Sequence, residues 1–255
     1  MLLTQGRQQL DLTKRIFTIV ASLLVVVAIG SLFKISQNVQ LSERQNIFKE
    51  VKNNVLQAIH KEIDITVDSL NSLSALFQAS DSVDILQFNS FAQQISQPNY
   101  TVRVLEWAPI TSHTDRAEFE NKYNLIIEKN IQGDTQKAAN RSHYAPIRYI
   151  YPYRSNEAVI GLDVLTNSNR IISMDNVISS GRVIASAPLK LIQDNHSNLG
   201  VLFVSAVFSG STNNNTNIER GRSDNLLGFV IAVVQFKNFF QHISALETGK
   251  IDLFV

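Results

Sequence analysis

Residues 226–236 read "LLGFVIAVVQF", and how this run is read decides the fold. Leu226 to Val234 carry no polar side chain. As a helix these residues would rise only ~14 Å, about half the ~30 Å hydrocarbon of a bilayer. Val230, Ile231, Val233 and Val234 are β-branched, which costs side-chain freedom in a helix and suits the pleated surface of a sheet. The run is therefore expected as a buried strand.

Working outward, the polar stretch 209–225, "SGSTNNNTNIERGRSDN", reads as a long hairpin loop, and "LGVLFVSAVF", 199–208, as the strand before it. Two further strands are expected in "VIASAPL", 183–189, and "APIRYIYP", 145–152. In "TVRVLEWAPIT", 101–111, alternation puts Val102, Val104 and Glu106 on one face and Arg103, Leu105 and Trp107 on the other, with Pro109 closing the strand. Helical patterns lie between them. "SNRIISMDNVISS", 168–180, stops at Gly181; "RAEFENKYNLIIEKN", 116–130, is short; "ILQFNSFAQQIS", 85–96, has Leu86, Phe88, Phe91 and Ile95 as its apolar set and Ser82 as a cap. The class is α+β, and helix followed by mixed strands twice over suits two small subdomains.

Upstream the pattern changes. Val51, Val55, Ile59, Ile63 and Val67 recur every four residues, followed by Leu70, Leu73 and Phe77, the spacing of one helix face. A helix of about 40 residues, ~60 Å long, reads as a stalk. Two uses of its stripe are open: pairing with a second copy, or packing on its own domain. Before it, Ile16 to Phe33 holds 18 uncharged residues between Lys14-Arg15 and Lys34. At ~27 Å this is long enough to span a bilayer. A cleaved signal peptide would have a shorter apolar run, ~7–15 residues, and a small-residue cleavage site, so an uncleaved anchor is expected. The tail carries Arg7, Lys14 and Arg15 against Asp11, which places it in the cytoplasm and the rest outside.

The chain has 255 residues, 28.6 kDa, 44% hydrophobic residues, a formal charge of +1 and no cysteine. It can build a core, and disulfides, thiolate catalysis and cysteine-held zinc are excluded. Beyond residue 34 the charge is close to balanced, so no nucleic-acid face is expected. There is no phosphate-binding loop, nucleophile elbow, dinucleotide fingerprint or zinc-protease motif. His60, His113, His143, His196 and His242 have no metal-ligand spacing. No metal, cofactor or catalytic residue is nominated.

The ordered segments carry a resemblance. "FNSFAQQISQPNYTVRVLEWAPIT", "YAPIRYIYPYRSNEAVIGLD", "NRIISMDNVISSGRVIASAPLKLIQ", "LGVLFVSAVF" and "GFVIAVVQFKNFF" together resemble the CHASE domain over about residues 80–245. The individual elements are Trp107 with Pro109, Tyr144 with Pro146, Gly161 with Asp163, Arg170, Ser180 with Gly181, and Ser186 with Pro188. The resemblance implies an extracellular ligand-sensing domain of a receptor kinase or cyclase, with two PAS-like modules strung on the long helix and the ligand in the membrane-distal one. The organisation it suggests is a cytoplasmic tail, 1–15; a transmembrane helix, 16–34; a stalk, 35–79; a sensory ectodomain, 80–245; and at 246–255 the start of a connection to a second membrane helix and an output domain beyond this chain.

Under this reading the ligand is a small molecule or short peptide, and the candidate site residues are Tyr149, Tyr151, Ser186, Arg148, Asp163 and Trp107. On one strand Ile147, Tyr149 and Tyr151 share a face, while Arg148 and Ile150 share the other. The tyrosine face is expected to line the pocket with Ser186 on a neighbouring strand, against the alternative that both rings pack in the core. Asp163 is expected to cap a turn or pair with Arg170, and Trp107 to be a core residue. Plant members that bind cytokinins hold the purine with an acid where this chain has Pro152, so cytokinin is not expected. A homodimer through the stalk and a cell-membrane location complete the expectation.

Overall fold

The computed structural model describes residues 2–97, 101–131, 134–166, 168–191, 199–210 and 225–246. The chain divides into two compact units, 1–55 and 56–255. Helix α1, Leu2–Ala79, supplies the described part of the first and opens the second.

In the first unit Val20, Leu23 to Val27, Ile29, Leu32 and Phe33 are all exposed. A helix satisfies its backbone internally, and a band of bare aliphatic side chains is at ease only where water is absent. This part of α1 is long and apolar enough to cross a membrane. In the second unit α1 changes character. Glu62, Thr66, Ser69, Leu70, Leu73, Ser74 and Phe77 are buried, which is the stripe of a helix laid on a sheet.

The second unit continues with α2 (Ile85–Ser96), β1 (Val102–Pro109), β2 (Thr111–Ser112), α3 (Arg116–Tyr123), β3 (Glu128–Ile131), β4 (Asp134–Lys137), β5 (His143–Tyr144) and β6 (Tyr149–Tyr151). Two 3-10 turns, Glu157–Val159 and Val164–Thr166, lead to α4 (Ser168–Ser180), β7 (Ile184–Ala185), β8 (Leu189–Lys190), β9 (Leu199–Phe208), β10 (Leu226–Gln235) and α5 (Phe236–Leu246). Among the described residues, β6-β1-β10-β9-β7 form an antiparallel sheet in that order, with β8 added on β9, and β2–β5 and β3–β4 form two small ribbons.

Strand β10, with the apolar run 226–234, is the centre of this sheet. Because alternate side chains point to opposite faces, β10 feeds two cores. Val230 and Ala232 join Leu105 and Trp107 of β1, Val207 of β9 and the buried residues of α1 and α2. Phe229, Ile231 and Val233 join Val104 and Ala108 of β1, Leu202, Val204 and Ala206 of β9, and Met174 and Val177 of α4. A polar tie crosses the first core: the hydroxyls of Ser74 on α1 and Ser205 on β9 lie 3.0 Å apart. At Gly228 the β9–β10 pairing shifts register, φ is +156°, and a Cβ would lie 2.4 Å from the Ala108 carbonyl oxygen.

Several boundaries differ from expectation, each for a local reason. The cap of α2 is Asp84, not Ser82: its carboxylate accepts from Gln87 N at 2.8 Å while Gln87 Oε1 accepts from Asp84 N at 2.9 Å, a reciprocal capping box. Helix α3 stops at Tyr123 because Asn124 turns left-handed, φ 47°, so "LIIEKN" leaves the helix and Glu128–Ile131 pairs as a strand. In "VIASAPL" only Ile184–Ala185 joins the sheet as one strand, and pairing resumes after Pro188 at Leu189–Lys190. The expected strand "APIRYIYP" enters the sheet only at Tyr149–Tyr151. Gly181, φ 66°, ends α4 as expected.

Candidate functional site

The edge strand β6 is where the candidate residues gather. Trp107 of β1 faces Tyr149 in register, and Leu105 faces Tyr151. Arg148 is held at the start of this pairing, its backbone N–H donating to Trp107 O at 2.8 Å. Trp107 is buried and stacks on Phe77 of α1, with centroids 3.9 Å apart and planes at 16°. Tyr149 is buried beside Phe88 of α2, centroids 5.4 Å apart, and its hydroxyl donates to Val83 O at 3.0 Å. Burial pushes the Tyr149 phenol up from its usual pKa, against the opposing pull of the Arg148 cation. Tyr151 is half-buried against the same cluster.

Ile147 does not share their face. It packs with Ile150, Phe229 and Met174 in the other core, because residues 145–148 precede β6 and do not follow its alternation. Arg148 also departs from the alternation. Its guanidinium carbon lies 3.8 Å from the Tyr123 ring centroid and 4.4 Å from that of Tyr149, so the cation is flanked by two phenol rings.

Ser186 is elsewhere. It is buried beyond β7, at the opposite edge of the sheet, where its N–H donates to Leu202 O at 2.7 Å and its hydroxyl oxygen accepts from Leu202 N at 3.0 Å. Three strands stand between β7 and β6, a separation of ~19 Å at the usual strand spacing. Ser186 and the tyrosines are therefore not neighbours across adjacent strands; the order of the sheet, invisible in local pattern, separates them.

Asp163 is fully buried and caps, as expected. Its Oδ1 accepts from Ala145 N at 3.0 Å and Leu165 N at 3.1 Å, and its Oδ2 takes the Arg141 guanidinium. The side chain of Arg170 lies outside the described residues. Arg141 also donates to Leu165 O at 2.7 Å. Beside this pair a second one fastens α3: Arg116 reaches Glu120 at 2.9 Å, Ala138 O at 2.9 Å, Ile127 O at 3.1 Å and the Tyr144 hydroxyl at 3.3 Å. Burial works against the Arg116 charge, but its bonds to Glu120 and Tyr144 outweigh that and hold its pKa above the usual value. These groups are committed to holding loops together.

One residue gained weight only from the structure. Glu106 is buried on β1 between Ile150 and Ile231, both members of the α4-side core. A carboxylate in an otherwise apolar stripe was visible in "VRVLEWA", but only the sheet shows that both flanking strands bury it.

A helix long and apolar enough to cross a membrane thus runs into an α+β unit whose sheet carries a core on each face. Residues 81–254 match the family model of the CHASE domain, and the chain belongs to that family. The CHASE domain is an extracellular sensory domain of receptors and is not catalytic. No curated protein matched the chain.

Proposed function

We propose that this chain is the ligand-sensing part of a membrane receptor, anchored by α1 with its amino terminus in the cytoplasm and its CHASE domain outside the cell membrane. The observation that carries the reading is the family match over residues 81–254 directly following a helix apolar enough to cross a bilayer. The ligand is a small molecule or a short peptide, bound by a PAS-like module built on the six-stranded sheet. Trp107, Arg148, Tyr149 and Tyr151 form its recognition edge, where two strands present three aromatic rings and a cation together. Ser186 and Asp163, whose oxygens are engaged by backbone N–H groups, support neighbouring segments.

Signal passes by a population shift between two arrangements of the helices that leave the sheet. Glu62 of α1 is buried, its Oε2 accepts from the Thr101 hydroxyl at 3.2 Å and its Oε1 lies 3.4 Å from His242 Nε2 of α5. A carboxylate shared by α1 and α5 couples the helix that comes from the membrane to the one that follows the last strand. Two copies pair through the α1 stripe containing Val51 and Val55, and an output domain beyond this chain reads the change.

The test is a thermal-stability screen of the full chain in detergent against purines, amino acids and short peptides. A ligand that binds only the folded state stabilises it by RT ln(1 + [L]/Kd), ~2.7 kcal/mol at a hundredfold excess over Kd. A saturable hit weakened by Tyr149→Ala or Tyr151→Ala is expected; a flat screen on folded protein returns the domain to a structural or adhesive role. Disulfide trapping of Val51→Cys and Val55→Cys in membranes tests the dimer, and monomer at both positions removes it.

A further inference from the structure

Arg148 is the least conventional charge among the candidate residues. Its guanidinium carbon lies 3.8 Å and 4.4 Å from the ring centroids of Tyr123 and Tyr149, the side chain hydrogen-bonds Tyr149, and its Nε is buried with no hydrogen-bond partner. Among the described residues no carboxylate pairs with it. An unpartnered buried donor costs stability and calls for a reason. Both rings are themselves fixed: Tyr149 by its hydroxyl bond to Val83 O at 3.0 Å, and Tyr123 by edge-to-face contact with Phe119, centroids 4.8 Å apart. A second cation is close. Lys122 Nζ sits 5.4 Å from the Tyr123 centroid. The nearby acid, Asp84, is engaged in capping α2.

Resting on the sensor reading above, we propose that Arg148 is the anchor for a carboxylate group of the ligand, held edge-on by the guanidinium while the adjacent rings of Tyr123 and Tyr149 hold the cation in place and Lys122 adds to the local positive field. A partner takes the guanidinium at its N–H edge. Its N–H groups lie in one plane and match the two oxygens of a planar carboxylate, a geometry lysine cannot reproduce. The rings hold the side chain in place before binding, so little rotamer freedom is lost when the anion arrives. The half-buried position limits competition from water without closing the approach from solvent.

The experiment uses the full chain in detergent micelles and reads both melting and the emission of Trp107, the single tryptophan and the register partner of Tyr149. The probes are acetate, succinate, the L-amino acids and tripeptides, each acid compared with its own amide at equal ionic strength. The expected result is that acids, and not their amides, raise the melting temperature and shift Trp107 emission saturably. Free amino acids against tripeptides with free and amidated carboxyl ends separate the two sources of the carboxylate. Arg148→Met should weaken the best acid at least tenfold, as loss of a charge-assisted pair predicts, and Arg148→Lys should recover only part. The acid-against-amide comparison on the unaltered chain keeps the proposal testable where Arg148→Met folds poorly. Hits that are equally good as amides, or an acid whose binding survives Arg148→Met, overturn the carboxylate anchor and leave the sensor standing. No hit of any kind overturns both.

Discussion

Replacing Asp163 by alanine should be among the most damaging single changes outside the apolar cores. The carboxylate is fully buried and serves three donors: Ala145 N at 3.0 Å, Leu165 N at 3.1 Å and the Arg141 guanidinium. Its main chain is also built in, with Asp163 N donating to Glu128 O at 2.8 Å and a bridge to Pro146. Alanine leaves the N–H of buried Ala145 and that of Leu165 without acceptors, each worth ~1–3 kcal/mol, and strips a buried pair of one partner. Because Arg141 is partly in contact with water, its own loss is at the low end. The sum is ~3–5 kcal/mol, which at a urea dependence of ~2–3 kcal/mol per molar moves the unfolding midpoint by roughly 1.5 M. Urea titration of the full chain in micelles, followed by Trp107 emission, reads this directly, since the only tryptophan is buried in the same unit. Asp163→Asn separates the causes. Its remaining oxygen can keep both backbone bonds, so it should cost ~1–2 kcal/mol. If alanine shifts the midpoint by less than a third of a molar, or if asparagine is as harmful as alanine, the carboxylate is not acting as the backbone cap described here.

Other outcomes follow from the same contacts. Gly228→Ala places a Cβ 2.4 Å from Ala108 O and 2.7 Å from Pro109 Cα at φ +156°, so it should lower stability by ~2–4 kcal/mol; a wild-type midpoint would mean that β1 and β10 separate freely there. Burial raises the Glu120 carboxyl, but the Ile127 N–H at 3.0 Å and Arg116 outweigh it and hold its pKa below the usual 4.5. With the folded value depressed, its contribution is complete above the unfolded value and is lost as pH falls through the folded one. Acid titration of stability should therefore be steeper below about pH 4.5 for wild type than for Glu120→Gln, and parallel curves would remove Glu120 from the account. Glu62→Gln should loosen α5 from α1 by ~1 kcal/mol and speed amide exchange in α5 about fivefold, with β9 and β10 unchanged; equal exchange throughout would show that apolar packing of Ile243, which is fully buried, holds α5 by itself. Phe77→Ala removes the ring stacked on Trp107 and should cost ~3–5 kcal/mol with a red shift in emission; an unmoved spectrum would place the indole against other neighbours.

What the sequence could tell depended on how local the physics was. The apolar run of α1 is legible from its length and the charges at its ends, which suit a bilayer's thickness, and the stretch 226–234 declares itself a strand by length and branching. The alternation in β1 is the same kind of signal, since period two is built into the pleat. The two sides it predicted for Val104 and Glu106 against Leu105 and Trp107 are the two cores of the sheet, but Val102, expected beside Val104, packs with Leu105 and Trp107 instead, because the strand shifts register between Val102 and Val104. The Asp84 cap was legible in principle, because Asp84 and Gln87 stand three apart, but four residues that can cap in "SDSVD" compete until the first helical turn is placed.

The remainder depends on the order of strands. Ile147 and Tyr149 look alike in alternation, yet they enter different cores because the sheet begins at Tyr149. Ser186 and Tyr149 stand at opposite edges because β1, β10 and β9 come between them. Asp163 meets Arg141, 22 residues away, and Arg148 meets Tyr123 on α3. By itself the sequence determined the helix apolar enough to cross a membrane, the long stripe that follows it, the central buried strands and the family. Only the tertiary structure decided which charges are spent inside the fold and that Arg148 lies against the rings of Tyr123 and Tyr149, because a side chain's partners are set by how distant segments stack, and that is written in no short stretch of the chain.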